Sequence, residues 1–228
     1  MDTSNRNIVS RRSRPAKEPL SREIIVNTAL ILLKNEGPAG LSMRKVAKAL
    51  DTGPSSLYVY VANLEELCAY VLDAGLAAIE RPDPGEGDWK ARLFDAVYAY
   101  LKVLYEAPGL AELALTTIPV GPRSLELTEY ILQRLYEGGI RAAAAAWGVD
   151  LLLLYASSVA FEQSSRDRKG TTLNLLAASY RSIDPQRYPL LTSLKEEMLS
   201  GGDGPDGGKE RFRWGFESIV QGILRHNE

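Results

Sequence analysis

The chain has 228 residues, a length that allows one or two domains with hydrophobic cores of their own. Lysine and arginine total 27 against 29 acidic residues, and the resulting net charge of −2 excludes a uniformly basic protein that coats nucleic acid. Hydrophobic residues at 45% and charged residues at 25% indicate a soluble globular protein and exclude a wholly disordered one.

The charge is unevenly distributed along the chain. Up to Asn63 there are ten basic and five acidic residues, a net charge of +5, whereas the remaining 17 basic and 24 acidic residues give −7. Opposite signs in two parts of a chain are expected when one part meets phosphates and the other does not. This pattern favours a small basic unit joined to a larger acidic one.

The N-terminal part of the chain is predicted to contain a polar arm followed by two helices. Residues 1–20 are polar and basic without helical or strand periodicity, and they predict a flexible arm. From Ser21, a candidate N-cap, apolar residues recur at spacings of three and four until Gly37-Pro38, which predicts a first helix. Ser42 caps a second short helix that ends near Asp51.

A third helix is expected over 54–61, because proline suits the first helical position, and Thr52-Gly53 forms the break before it. Asn63 followed by Glu66 forms a capping box at the start of a fourth helix that ends before Pro82. Six further helices are expected over 88–106, 110–117, 123–137, 141–165, 171–182 and 209–225. The glycine-rich segment 201–208 predicts a flexible loop, and since no segment alternates like a strand, the fold class is all-α.

The stretch from Ala142 to Phe161 is apolar and long enough to raise the question of a membrane span. Asp150 lies near its middle, where it would cost about 2.5 to 3.5 kcal/mol on insertion. We therefore expect a core helix, apolar all round because it contacts neighbours on several sides. The N-terminus has no apolar run typical of a signal peptide, so we expect no membrane partner and a cytoplasmic location.

Two short helices joined by a tight turn, with another helix before them, are typical of a helix-turn-helix unit whose second helix enters the major groove of DNA. The small residues around Pro54 would let that helix approach the groove edge, while Leu57 would pack inward. Tyr58 and Tyr60 offer hydroxyls suited to phosphates, and Arg44 could reach a guanine edge or a phosphate. A solvated helix surface is the alternative for these side chains.

The segment LSMRKVAKALDTGPSSLYVYVANLEEL resembles the DNA-binding signature of the tetracycline-repressor (TetR) family, and the similarity spans about Ser21 to Leu76. The resemblance implies a helix-turn-helix DNA-binding domain over 21–67. It also implies that Ser56 and Tyr58 hold phosphates. By the same resemblance, the residues that face bases are Arg44, Thr52, Pro54 and Ser55. Tyr60 joins the predicted DNA-binding residues on the strength of its hydroxyl alone. Leu64 departs from the lysine that is common in the family at this position.

The segment DWKARLFDAVYAYLKVLYEAPGLAELALTTIPVGP and the region of Phe161-Glu162 are similar to the regulatory domain of the same branch. This implies a ligand-binding and dimerisation domain over 68–228 with an effector cavity. The implied cavity residues, with plausible aromatic walls, are Trp89, Ala96, Tyr100, Tyr105, Ala114, Ile118, Pro119, Tyr130, Trp147 and Glu162. Ordinary core is the alternative for the aromatic and apolar members, and a solvent-facing charge is the alternative for Glu162. Ala114 stands where the namesake binds a magnesium-chelated drug through histidine, so a metal chelate is not expected and no metal or cofactor is implied.

The last helix carries small residues at spacings of three and four, which would let another helix approach closely. The resemblance implies that this helix and the helix over 141–165 form a four-helix bundle across a twofold axis. The expected interface residues are Tyr155, Gly215, Ser218, Ile219 and Gly222. Such a homodimer fits a palindromic operator, with recognition helices about 34 to 36 Å apart.

These observations predict a homodimeric repressor that binds a palindromic operator and is released by a small-molecule effector. The alternative is a helical small-molecule-binding or enzymatic protein with a vestigial helix-turn-helix. Against an enzyme, the single histidine, His226, lies three residues from the end, and the single cysteine, Cys68, has no evident base.

Overall fold

The computed structural model describes residues 19–79, 87–107, 109–170, 173–199 and 208–227. Within these ranges the regular secondary structure is helical, which confirms the all-α class. The helices are α1 (Arg22–Glu36), α2 (Met43–Ala49), α3 (Pro54–Leu57), α4 (Leu64–Gly75), α5 (Trp89–Glu106), α6 (Leu110–Thr116), α7 (Pro122–Glu137), α8 (Ala142–Lys169), α9 (Leu173–Arg181), α10 (Pro189–Ser193), α11 (Lys195–Leu199) and α12 (Lys209–Arg225). Residues 1–18 of the predicted arm and 201–207 of the predicted glycine-rich loop lie outside the described residues.

Four helices begin at the side-chain caps that the sequence predicts. The Ser21 hydroxyl accepts a hydrogen bond from Ile24 N at 3.2 Å, and Ser42 accepts one from Lys45 N at 3.3 Å. The carboxamide of Asn63 and the carboxylate of Asp88 each accept a hydrogen bond at 2.8 Å from the backbone three residues on. Each cap satisfies an amide that the helix leaves unpaired, which fixes where the helix starts.

The third helix is shorter than predicted. Regular α-helix ends at Leu57, and the expected span to Val61 is wrong, because Tyr60 N and Val61 N both donate to the carbonyl of Leu57, at 2.9 and 3.1 Å. This shared acceptor closes a tight turn in place of a second regular turn. The Leu57 side chain is fully buried, as predicted, and anchors α3 on the core of the N-terminal unit.

Helix α4 joins the two parts of the molecule. It packs against α1 on one side and against α6 and α7 on the other. The predicted domain boundary between residues 67 and 68 falls inside this helix. Helix α4 therefore belongs to both parts of the molecule, and a movement of its C-terminal end would also displace the N-terminal unit.

The larger part is built on α5, α7, α8 and α12, and α8 packs against α5, α6, α7 and α12. Judged by length and composition alone, α8 could cross a membrane, but in the structure it lies among these helices. The expected contacts of α8 on several sides are confirmed, but Trp147, Leu151 and Leu154 are exposed in the single chain. One face of α8 is therefore left uncovered by this chain.

Helices α9 to α11 form a separate group that packs internally. The two five-residue helices α10 and α11 are absent from the predicted elements. Both are too short for helical periodicity to emerge from the sequence.

Candidate functional site

The turn between α2 and α3 gives the N-terminal unit its shape. Asp51 adopts a left-handed conformation with φ of 49°, which aspartate tolerates better than bulkier residues. The next amide, Thr52 N, donates to Ala47 O at 2.9 Å and closes the end of α2. The chain thereby turns between α2 and α3, which pack against each other, as two short helices joined by a tight turn are expected to do.

The seven residues predicted to face DNA lie on α2, α3 and the segments that flank α3. Arg44, Pro54, Ser55 and Tyr58 are exposed, with Tyr58 53% exposed, whereas Thr52, Ser56 and Tyr60 are half-buried. Val59, beside Tyr58, is 77% exposed and was not predicted as a site residue. The α3 face is defined by the exposed Arg44, Pro54, Ser55, Tyr58 and Val59 together with the half-buried Thr52 and Ser56.

The cations of α2 divide between two sides of the helix. Lys45 Nζ lies 2.6 Å from Glu36 Oε2 and donates to Ala39 O at 2.9 Å, so this charge is held against the α1–α2 connection. Arg44 and Lys48 are exposed one helical turn apart. Lys48 is therefore a second candidate for phosphate contact, which its spacing of four from Arg44 could have indicated.

A small network ties the end of the α3 region to α1 and α4. Arg22 Nε donates to Tyr60 O at 3.2 Å, and its guanidinium lies 5.0 Å from the centre of the Tyr70 ring. The Tyr70 hydroxyl donates to Glu66 at 2.9 Å, and Glu66 also accepts a hydrogen bond from Ala62 N. These hydrogen bonds, first that from Ala62 N, lower the pKa of Glu66. The α3 face is thus held in a defined orientation relative to α4.

Part of the predicted effector set lies inside the larger unit. Ala96 and Tyr100 are buried on α5, and the Tyr100 hydroxyl lies 3.0 Å from Ser157 Oγ of α8. Burial raises the pKa of Tyr100, so the hydroxyl stays protonated. Ala114 on α6 and Tyr130 on α7 are half-buried.

Buried polar atoms that lack a partner among the described residues include the Tyr130 hydroxyl, Arg134 Nε and Nη1, and Gln163 Oε1. The guanidinium of Arg134 lies 4.7 Å from the centre of the Tyr130 ring, and its Nη2 pairs with Glu137 at 2.7 Å. Buried polar groups are normally paired, so an unpaired one in an interior is a candidate ligand contact. Sequence reasoning missed Gln163, although its spacing of seven from the buried Ala156 places it on the inner face of α8.

Four predicted cavity residues are exposed in the chain, namely Trp147, Ile118, Pro119 and Glu162. Trp147 is 78% exposed on the uncovered face of α8, so its expected position in a cavity wall is wrong for the single chain. Ile118, at 73% exposed, and Pro119 lie in the loop between α6 and α7. Loop backbone rarely packs in an interior, and here the loop leaves both side chains in solvent.

Glu162, Tyr105 and Trp89, also predicted as cavity residues, contact other residues of the chain. Glu162 is exposed and pairs with Arg166 at 2.5 Å, which favours the solvent-facing alternative. The Tyr105 hydroxyl donates to Asp167 at 2.5 Å, and this hydrogen bond raises the pKa of Tyr105 to about 12. Trp89 is half-buried against Gly138, where a Cβ would come within 2.6 Å of the indole ring.

The predicted interface residues fall into two groups. A Cβ at Gly215 would lie 2.1 Å from the Tyr155 hydroxyl, so these two residues pack within the chain. Ser218 is exposed, and open space surrounds the Cβ position of Gly222. Ile219 is half-buried.

The exposed surface of α12 carries a shallow depression of about 380 Å³ lined by Trp214, Glu217, Ser218, Gln221, Gly222 and Arg225. The Tyr155 and Phe212 rings stack at 5.0 Å and hold α8 against α12. We define the α8–α12 face as the exposed Trp147, Leu151, Leu154, Trp214, Ser218, Gln221 and Arg225 of these two packed helices, together with the half-buried Gly222.

Comparison with known proteins places this architecture among regulators. The family model described as tetracyclin repressor-like, C-terminal domain, matches residues 81–226. The transcriptional repressor DrrR1 of Streptomyces coeruleorubidus is 30% identical over 226 residues, which cover 93% of this chain and 80% of that protein. The crystal structure of apo ActR from Streptomyces coelicolor superposes with a TM-score of 0.79 at 33% identity, covering 92% of this chain and 97% of ActR. ActR in complex with actinorhodin gives a TM-score of 0.79 at 32% identity, with coverage of 92% and 97%.

Proposed function

This chain belongs to the tetracycline-repressor (TetR) family of transcriptional regulators, and we propose that it is a homodimeric repressor that binds a palindromic operator through α3. It is a ligand-regulated regulator and not an enzyme, in line with its relatives. A location in the cytoplasm, where its DNA would be, is part of the proposal. The observation that carries the proposal is the α3 face, which presents small and hydroxyl-bearing side chains beside the exposed cations Arg44 and Lys48.

The α3 face supports two kinds of DNA contact. Arg44 and Lys48 offer charge to phosphates, and Arg44 is long enough to reach a base edge. Tyr58 stands on the exposed side of a helix whose inner residue, Leu57, is fully buried. A rigidly anchored helix loses little conformational freedom when it enters a groove, which favours specific binding.

The α8–α12 face supports the proposed homodimer. Trp147, Leu151, Leu154 and Trp214 are large apolar side chains left exposed by the chain. Large apolar side chains exposed on two helices that pack together favour an association site, and a second copy of the chain supplies the same side chains under twofold symmetry. The packed pair Tyr155 and Gly215 then keeps the two helices of one subunit together instead of contacting the partner.

The effector proposed here is an aromatic molecule that carries hydroxyl or carbonyl groups. Tyr100 and Tyr130 offer aromatic contacts, and the unpaired atoms Tyr130 Oη and Gln163 Oε1 offer a donor and two acceptors. ActR, which has a similar fold, has been solved with actinorhodin. The effector must bind the non-operator conformer more tightly, since equal affinity for both conformers would shift nothing.

The test starts with a 30-base-pair duplex library, of roughly the length that two half-sites one turn apart occupy. We expect a twofold-symmetric sequence to be selected, with affinity that falls as salt rises. Tyr58→Ala should weaken binding to all duplexes, whereas Arg44→Ala should relax the preference at one base pair by about 1 to 3 kcal/mol. Lys102→Ala removes the same charge from an exposed site on α5 and is the matched control.

Failure of the folded wild type to select any duplex at low salt would overturn the proposed operator binding. Equal losses on all duplexes for Arg44→Ala and Tyr58→Ala would refute the base contact. Actinorhodin, added to the wild-type complex, is the probe for the effector class. Release of the duplex supports that class, and failure to bind actinorhodin counts against it.

A further inference from the structure

Asp73 is an acidic residue of α4 that is 4% exposed and directed at a different helix. Its Oδ1 accepts hydrogen bonds from the backbone amide of Ser124 at 3.0 Å and from the Ser124 hydroxyl at 3.3 Å. Its Oδ2 lies 3.4 Å from Arg123 Nη1. All three contacts are with the first turn of α7, 50 or 51 residues away in the sequence.

Asp73 takes the place of the missing N-cap of α7. The residue at the cap position is Gly121, which has no side chain to accept a hydrogen bond. A side-chain acceptor at a helix N-terminus pairs an otherwise orphan amide, and a negative charge there also interacts favourably with the helix dipole. Because the acceptor belongs to α4, the start of α7 is anchored to α4 and not to its own preceding loop.

The same contact is sterically tight. A Cβ at Gly121 would lie 2.1 Å from Asp73 Cγ, although the backbone there, with φ of −80°, is open to any residue. Glycine is needed at 121 because α4 lies so close. The loop over 117–121 and helix α4 therefore cannot move independently without breaking this contact.

The two ends of this connection have different roles. The loop carries the exposed Ile118 and Pro119, two residues that the family resemblance implies near the effector. One turn before Asp73 on α4, Tyr70 contacts Arg22 of the N-terminal unit. Resting on the proposed function, we propose that Asp73 is a positioning residue that couples the α6–α7 loop to the orientation of the α3 face.

The proposed coupling predicts that DNA binding changes amide hydrogen exchange in the first turn of α7. Allosteric linkage between two binding sites is reciprocal. If effector binding near the loop changes the orientation of α3, a duplex bound at α3 must change the environment of the Ser124 amide. The measurement is amide hydrogen exchange over residues 122–128, with and without the duplex selected by the wild type. We expect the duplex to change the exchange rate at this turn by about fivefold, the size of one capping interaction.

Asp73→Ala should abolish this duplex-dependent difference, while it still binds the duplex because Asp73 is remote from the α3 face. Asp73→Asn keeps an acceptor for Ser124 N but loses the charge beside Arg123, so we expect an intermediate difference. Asp95→Asn, which removes an exposed carboxylate of α5, is the matched control and should behave as wild type. Gly121→Ala, which forces Asp73 away by steric contact alone, should also remove the difference.

A merely structural cap would give another result. Asp73→Ala would then raise exchange equally in the free and bound protein, and the duplex-dependent difference would survive, which overturns the proposal. The absence of any difference in the wild type overturns it as well. If Asp73→Ala does not fold, Asp73→Asn and Gly121→Ala decide, because persistence of the wild-type difference in both refutes the coupling. Failure to select a duplex at all overturns the proposed function, and this inference with it.

Discussion

Two tyrosines of the larger unit differ in one respect that stability measurements can detect. The Tyr130 hydroxyl is buried without a partner among the described residues, whereas the Tyr100 hydroxyl lies 3.0 Å from Ser157 Oγ. A buried polar group without a hydrogen bond costs about 1 to 3 kcal/mol of stability. Tyr130→Phe removes that cost and keeps the ring beneath Arg134, so it should stabilise the effector-free protein by about 1 kcal/mol or more.

Tyr100→Phe is the matched control, with the same atoms removed from another buried tyrosine. It leaves the Ser157 hydroxyl without its partner, and we expect a loss of about 1 kcal/mol. The two variants should therefore differ by about 2 kcal/mol and shift the melting temperature in opposite directions by about 2 to 4 °C each. Denaturant unfolding at one fixed protomer concentration measures both, since dimer stability depends on concentration.

The sign of the change decides whether the reasoning holds. If Tyr130→Phe destabilises the protein as much as Tyr100→Phe does, the Tyr130 hydroxyl is already paired and is no candidate for an effector contact. If it stabilises the protein and also weakens effector binding, the unpaired hydroxyl serves the ligand at a cost in stability. A loss of stability in return for ligand binding is expected at binding sites.

Two further predictions concern association and acid stability. Trp147→Glu places a charge on the α8–α12 face and should convert the dimer to monomers in sedimentation experiments, and an unchanged dimer would show that this face is not the interface. For Glu66, the ionised side chain accepts the Ala62 amide, and its folded-state pKa lies below the ordinary 4.5. The stabilisation is fully present above 4.5 and is lost as the pH falls through the lowered value, so Glu66→Gln should flatten the acid limb of the stability profile. An acid limb identical to that of wild type, measured by unfolding between about pH 3 and pH 6, would contradict this assignment.

In the helix-turn-helix unit, the starts of the helices are set by interactions between near neighbours in the chain. Ser21, Ser42 and Asn63 each bond a backbone amide three residues away, and Pro54 occupies the first turn of α3. Interactions of this range depend on neighbours in the chain, so their residue types and spacing predict them. The same holds for the bounds of α12, which the sequence predicts correctly.

In the larger unit, local sequence patterns do not predict which side chains are buried or which chain covers them. The apolar pattern of α8 predicts a helix with several neighbours but does not say whether its own chain or another covers Trp147. Periodicity also did not separate Glu162, which is exposed, from Gln163, which has a buried oxygen without a partner. The family resemblance implies a boundary at residue 68, whereas the packing of α4 against both units makes the helix common to them.

Asp73 is the clearest case of information that no local pattern contains. In the sequence it is one acidic residue on an amphipathic helix, and such a residue is usually solvated. Only the packing of α4 against α7 brings it within 3.0 Å of the Ser124 amide. Caps and turns follow from near neighbours along the chain, but the partner of a buried charge follows from which helices lie side by side, and that is settled by the whole core at once.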